Sequence, residues 1–193
     1  MTHHGPLYIF RNVYNRSRKL SGTSVDSDDR GPFFKAGTLS SYGNGRRYVF
    51  HNTSLQAPNP SGTYSLGAGI GISGNTGQPL TNTVIRNNVF HLWNRGGASI
   101  DERGGYGNSA DYDLYSGAIN LPSGNEGSGL KGVPTYASGH GPAGAEAGQF
   151  QLAPGTAGAG MAVRIPNFND AHATPDVGAH QGGTPAMKFG VNQ

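Results

Sequence analysis

Tyr8-Ile9-Phe10-Arg11-Asn12 returns as Tyr48-Val49-Phe50-His51-Asn52 and again as Thr83-Val84-Ile85-Arg86-Asn87, the closing Asn displaced by 40 and then 35 positions. Each copy is a short β-favouring run that ends in Asn. A second series moves along the chain with it: Gly31-Pro32-Phe33-Phe34-Lys35, Gly67-Ala68-Gly69-Ile70-Gly71-Ile72 and Gly97-Ala98-Ser99-Ile100-Asp101. Repeats of about 20–50 residues mark solenoids, propellers and arrays, because one unit buries its apolar face only by stacking on the next. A propeller blade needs four antiparallel strands in about 40–45 residues. Each period here offers two clear strands and a short third, separated by Gly, Asn and Ser turns. The expected fold is therefore all-β, a parallel β-helix of about four coils over residues 1–121. An irregular Gly/Ala/Pro-rich C-terminal cap and tail, residues 122–193, is expected to complete the same domain.

Stacking turns matched columns of sequence into columns of side chains. Asn suits a bend because it tolerates left-handed backbone and its amide can bond to the backbone or to another Asn, so Asn12, Asn52 and Asn87 are the expected internal ladder. Alternation along a strand then turns Phe10, Phe50 and Ile85 inward, along with Tyr8, Tyr48 and Thr83, and Arg11, His51 and Arg86 outward as a cationic column suited to an extended anion. Composition agrees with such a chain. Among 193 residues there are 33 Gly and 12 Pro, while charged residues make up only 13%. That excludes a helical bundle, whose interiors need helix formers in place of Gly and Pro. The net charge of +3 is uneven: residues 1–97 carry ten basic and three acidic side chains, residues 98–193 four and eight. Zero Cys excludes disulfides and thiolate chemistry. No apolar run reaches the roughly 18 residues of a membrane span, and Met1–Pro6 lacks the features of a signal peptide. The basic half has no dense Lys/Arg run, which argues against nucleic acid as a partner.

Gly5-Pro6-Leu7-Tyr8-Ile9-Phe10-Arg11-Asn12, Arg47-Tyr48-Val49-Phe50-His51-Asn52-Thr53, Val84-Ile85-Arg86-Asn87-Asn88-Val89-Phe90 and Asp111-Tyr112-Asp113-Leu114-Tyr115 resemble successive coils of right-handed parallel β-helix proteins of the pectate-lyase-like superfamily. Phe150-Gln151-Leu152-Ala153-Pro154-Gly155 and Pro175-Asp176-Val177-Gly178-Ala179 resemble the closing segment of bacterial members, although His180-Gln181 follows where the family often carries an acidic residue. The resemblance implies a right-handed coil, an extracellular or periplasmic setting, and the C-terminal portion of a longer bacterial protein. It also implies a polysaccharide-lyase-like activity, binding or cleaving an acidic polysaccharide by β-elimination, with a Lys or Arg base and often Ca²⁺.

Those roles fall on particular residues. Removing a proton α to a carboxylate develops a dianion, which needs positive charge close by. Lys35 and Arg30 are the candidate catalytic residues; Arg11, His51 and Arg86 are candidate cations for the substrate carboxylates, and Trp93 a stacking surface for sugar rings. Asp26, Asp28 and Asp29 are candidate Ca²⁺ ligands in the run Ser24-Val25-Asp26-Ser27-Asp28-Asp29-Arg30, although it lacks the Gly and distal Glu of an EF-hand loop. A glycoside hydrolase would instead need paired carboxylates, for which Asp101 with Asp111 or Asp113 is the pair nearest the repeats. The alternative to all of these is a non-catalytic structural or adhesive β-helix module, in which the cations only solubilise. An uncovered first coil at residues 5–17 would favour self-association.

Overall fold

The computed structural model describes residues 5–15, 33–35, 45–55, 71–74, 77–91, 98–141 and 149–188. Their regular structure is thirteen short strands in three parallel sheets. The first sheet joins β1 (Leu7–Phe10), β4 (Arg47–Phe50), β7 (Thr83–Arg86) and β10 (Ser109–Asp111) in that order. The second joins β2 (Val13–Asn15), β5 (Thr53–Leu55), β8 (Val89–His91), β11 (Leu114–Tyr115) and β13 (Leu130–Lys131). The third joins β3 (Phe34–Lys35), β6 (Ile72–Ser73), β9 (Ala98–Asp101) and β12 (Ala118–Asn120). The all-β class and parallel pairing expected from the repeats are therefore present. Every passage of the chain adds one strand to each sheet in turn, and the final passage adds only to the second.

The first two repeats pair as aligned, Tyr8 with Tyr48 and Phe10 with Phe50. The third is displaced by one residue: Val49 pairs with Ile85, and Phe50 with Arg86. A one-residue slip exchanges the two faces of a strand, and burial decides which register holds. Ile85 and Val49 are both fully enclosed in one cluster with Ile72, Leu80, Phe90, Ile100 and Ala110, and Ile9 packs against it. Keeping Ile85 opposite Phe50 would have turned that apolar side chain outward, forfeiting about 1.5–3 kcal/mol of burial. The interior of the first sheet is thus Ile9, Val49, Ile85 and Ala110. Phe10, Phe50, Tyr8 and Tyr48, expected inside, lie on the outer face.

The bend explains why simple alternation failed. Arg11, His51, Asn87 and Tyr112 all have left-handed backbone, with φ of 54, 51, 61 and 61°. These residues sit between the strands of the first and second sheets, and each resets the phase of the side chains that follow. The ladder stands one position further on. Asn12 donates its backbone N–H and its amide to Asn52 Oδ1 at 3.0 and 3.1 Å. Asn52 repeats both bonds to Asn88 Oδ1 at 2.9 Å, and Asn88 repeats them to Asp113 Oδ1 at 2.6 and 2.8 Å. Asn88, not the expected Asn87, is the third rung. Asn52, in the glycosylation-like run Asn52-Thr53-Ser54, is fully buried in this ladder.

The C-terminal third has two placements. Residues 126–132 underlie the last passage: Glu126 N–H bonds to the Ala110 carbonyl, β13 pairs with β11, and Gly132 N–H bonds to the Tyr115 carbonyl. The stretch from 158 to 181 runs instead along the bend column. Val177 and Leu152 pack on Val89 and Leu114, Gly178 N–H bonds to the Asn87 carbonyl at 2.7 Å, and Ala179 N–H bonds to Thr53 Oγ1 at 3.1 Å.

Candidate functional site

The outer face of the first sheet carries a ladder of aromatic rings. Tyr8 stacks on Tyr48 with centroids 4.9 Å apart and planes 11° from parallel, and Tyr48 meets Phe50 at 5.7 Å. Phe168 of the C-terminal stretch closes over them, 5.9 Å from Tyr8, 5.2 Å from Phe10 and 5.3 Å from Phe50. A tight turn presents it: Ile165 accepts the N–H groups of Phe168 and Asn169, Asn169 Oδ1 accepts Ile165 N–H at 2.6 Å, and Asn167 takes a left-handed φ of 67°. Between the sheet and this turn lies an open cleft of about 520 Å³ lined by Tyr8, Phe10, Arg11, Asn167 and Phe168. Tyr8 and Phe10 remain 49% and 47% exposed despite their neighbours. The cleft therefore combines three aromatic faces, a guanidinium and an exposed amide.

His51 fastens the turn that carries Phe168. Its ring is 3% exposed. Nδ1 lies 3.2 Å from the Gly178 carbonyl, while Nε2 lies 3.1 Å from Asn87 Nδ2 and 2.7 Å from Asn169 Nδ2. Backbone partners fix both amides, since Asn87 and Asn169 each donate Nδ2 to the Val163 carbonyl at 2.8 Å. Asn87 Oδ1 accepts Val163 N–H, so neither amide can flip. The imidazole must carry its proton on Nδ1 and accept at Nε2. Burial pushes its pKa down to about 4, opposed by the Gly178 hydrogen bond and reinforced by the charge of Arg11.

The expected cationic column is thus rearranged. Arg11 is exposed and directs Nε at the Ala179 carbonyl, 3.5 Å away. His51 is a buried neutral ring, because Asn169 and Gly178 of the C-terminal stretch cover it. Arg86 stands one position away from them, in register with Phe50 and Asp111, and its guanidinium is held by Ser109 through the carbonyl at 2.8 Å and Oγ at 2.6 Å. Lys35 occupies the register position of Ser73, which pairs with Asp101. This puts it on the third sheet, away from Arg11 on the first. The Lys35 side chain, Arg30, Trp93, Asp26, Asp28 and Asp29 lie outside the described residues. Asp101 makes an exposed ion pair with Arg103 at 3.0 Å. Among the described residues no three His, Asp or Glu side chains are grouped to hold a metal.

One feature escaped the sequence reading. The Asn ladder ends on Asp113, fully buried, whose N–H bonds to Glu126 Oε2 at 3.3 Å. Burial pushes both carboxyls above their ordinary range, Glu126 the further because it also faces the Asp113 charge. Asp113 Oδ2 and Glu126 Oε1 are both buried without a hydrogen-bond partner among the described residues, an environment that favours the protonated form of each carboxyl. The signal was available as Asn88 and Asp113 in one column, but Glu126 reaches the site through a loop whose register no repeat announces. Comparison with family models, with curated proteins and with solved structures finds no match for this chain.

Proposed function

We propose that the three sheets are the faces of a right-handed parallel β-helix, and that the protein binds an acidic polysaccharide across the outer face of the first sheet. The observation that carries this is the cleft of Tyr8, Phe10 and Phe168 beside Arg11. Sugar rings present apolar C–H faces that stack on aromatic rings, and half-exposed aromatics in a concave site suit that contact. A guanidinium at the edge supplies a charge-assisted bond to a uronate carboxylate. Asn167 adds an amide for ring hydroxyls. The setting that fits this reading is extracellular or periplasmic, where such polymers occur.

Cleavage by β-elimination is the further step of the proposal. It requires a base at the carbon α to the carboxylate, and Lys35, with Arg30 and Ca²⁺ on Asp26, Asp28 and Asp29, is the set assigned to it. Lys35 lies on the third sheet, so binding at the cleft on the first does not depend on it. The test is titration with pectate, alginate and a glycosaminoglycan, following binding at low and high salt, and the absorbance of unsaturated product with and without Ca²⁺. Salt-sensitive binding supports the cleft, and product formation supports the lyase step. Absence of both from all three polymers refutes the proposal in favour of a structural or adhesive module.

A further inference from the structure

We propose that His51 is a positioning residue for the cleft, and that protonation of its ring releases the 158–181 stretch and withdraws Phe168 from Tyr8 and Phe10. This rests on the glycan reading only for its functional consequence; the release itself is a property of the fold.

The argument is one of donors and acceptors. In its neutral state the ring donates from Nδ1 to the Gly178 carbonyl and offers its one Nε2 lone pair to both Asn87 and Asn169, the shorter contact being to Asn169. A second proton can go only on Nε2. There it would confront two N–H donors at 3.1 and 2.7 Å whose orientation is locked by Val163 and Ile165. Neither amide can turn its oxygen to the new proton without abandoning a backbone partner. The cation would also be buried, and an unpaired buried charge is strongly disfavoured.

The backbone at Gly178 and Asp176 favours the cation but is outweighed by burial, and no neighbouring charge offsets this. Arg11, on the preceding bend, and His172, on the C-terminal stretch, both oppose a positive ring. Arg86, on the adjacent strand, faces Ser109. Asp176 spends its carboxylate on the N–H groups of Gly160 and Gly182, both at 2.6 Å, and Asp170 caps Asn167 N–H at 3.0 Å. The cheapest response to the proton is separation of the two surfaces. Asn169 is next to Phe168, so losing the His51 bond frees the turn that holds Phe168 against the cleft.

The sign follows from linkage. The folded ring titrates at about 4 and the free ring near 6.5, so the detached state binds more protons, and attachment weakens as pH falls from about 6.5 towards 4. Hydrogen–deuterium exchange of the whole chain, corrected for intrinsic rates, reads this without any glycan. Amides of 158–181 should exchange at least about tenfold faster at pH 4.5 than at pH 7, while those of Arg47–Phe50 stay protected. In His51→Gln that step should vanish, leaving the stretch either attached or loose at every pH. Where it is loose, the ring pKa of His51 by NMR in the wild type must coincide with the exchange midpoint. An unchanged step in His51→Gln, a step absent from the wild type, or a mismatch of midpoint and ring pKa overturns the latch. A normal step without oligogalacturonate binding at pH 7 overturns the glycan reading alone.

Discussion

Replacing Asn88 by Ala tests the ladder at its most connected rung. The side chain is fully buried and makes five bonds: Nδ2 to the carbonyls of Val49 and Arg86 and to Asp113 Oδ1, and Oδ1 from both Asn52 donors. Not all are lost equally. Asn52 Nδ2 keeps the Ile9 carbonyl, and Asp113 Oδ1 keeps the Asn88 backbone N–H. The principal losses are the acceptor of the buried Asn52 N–H and the side-chain donor to Val49. Stranding a buried polar group costs about 1–3 kcal/mol, so two of them cost roughly 2–6 kcal/mol. For a chain of this size, each kcal/mol lowers Tm by about 2–4 °C, giving a fall of about 4–24 °C in a thermal melt. Combining the substitution with Asn52→Ala should be less than additive, since both remove the bond from Asn52 Nδ2 to Asn88 Oδ1. A fall below about 2 °C, or strict additivity, would refute the ladder register.

Glu126→Gln removes one carboxyl of the buried pair while keeping an acceptor for Asp113 N–H. Both carboxyls are raised on folding, so their contribution is full below the ordinary carboxylate range and is lost as pH rises through the higher folded values. The variant should therefore gain stability relative to the wild type as pH increases above about 4 in denaturant melts; a constant difference across pH contradicts the raised Glu126 carboxyl. Gly178→Ala should loosen the C-terminal stretch, because Gly178 has φ of +88° and a Cβ would sit 2.8 Å from Thr53 Oγ1 and 2.9 Å from Val89 Cγ2. A loss of at least about 1–2 kcal/mol is expected in chemical denaturation; wild-type stability would mean that this contact is not made in solution.

The repeats made the strand runs, the parallel pairing and the existence of an amide ladder legible, because stacked identical chemistry leaves a column in the sequence. They did not fix the phase. Asn87 and Asn88 are adjacent and either could be the rung. The choice falls on Asn88 because Ile85 must join Val49 in the interior, a tertiary demand invisible in the alignment of the Asn columns alone. The same slip removed Arg86 from the column of Arg11 and His51. The left-handed bends at those two residues defeated alternation, which assumes extended backbone throughout. Phe168 and Asn167 could not be found from sequence, since a single Phe in a Gly/Ala/Pro-rich stretch carries no period. They join the cleft only because His51, expected outside, is an anchor for that stretch.

The most direct test of the cleft is isothermal titration of oligogalacturonate and of an uncharged oligosaccharide of equal length, at pH 7 and low salt, against the wild type, Arg11→Ala and Phe168→Ala. The account predicts binding of the acidic oligomer alone, weakened by salt. It also predicts a loss of about 10–100-fold in Arg11→Ala, the equivalent of one charge-assisted bond, with a smaller loss in Phe168→Ala. Equal binding of both oligomers, no binding of either, or an unchanged Kd in both variants would contradict it.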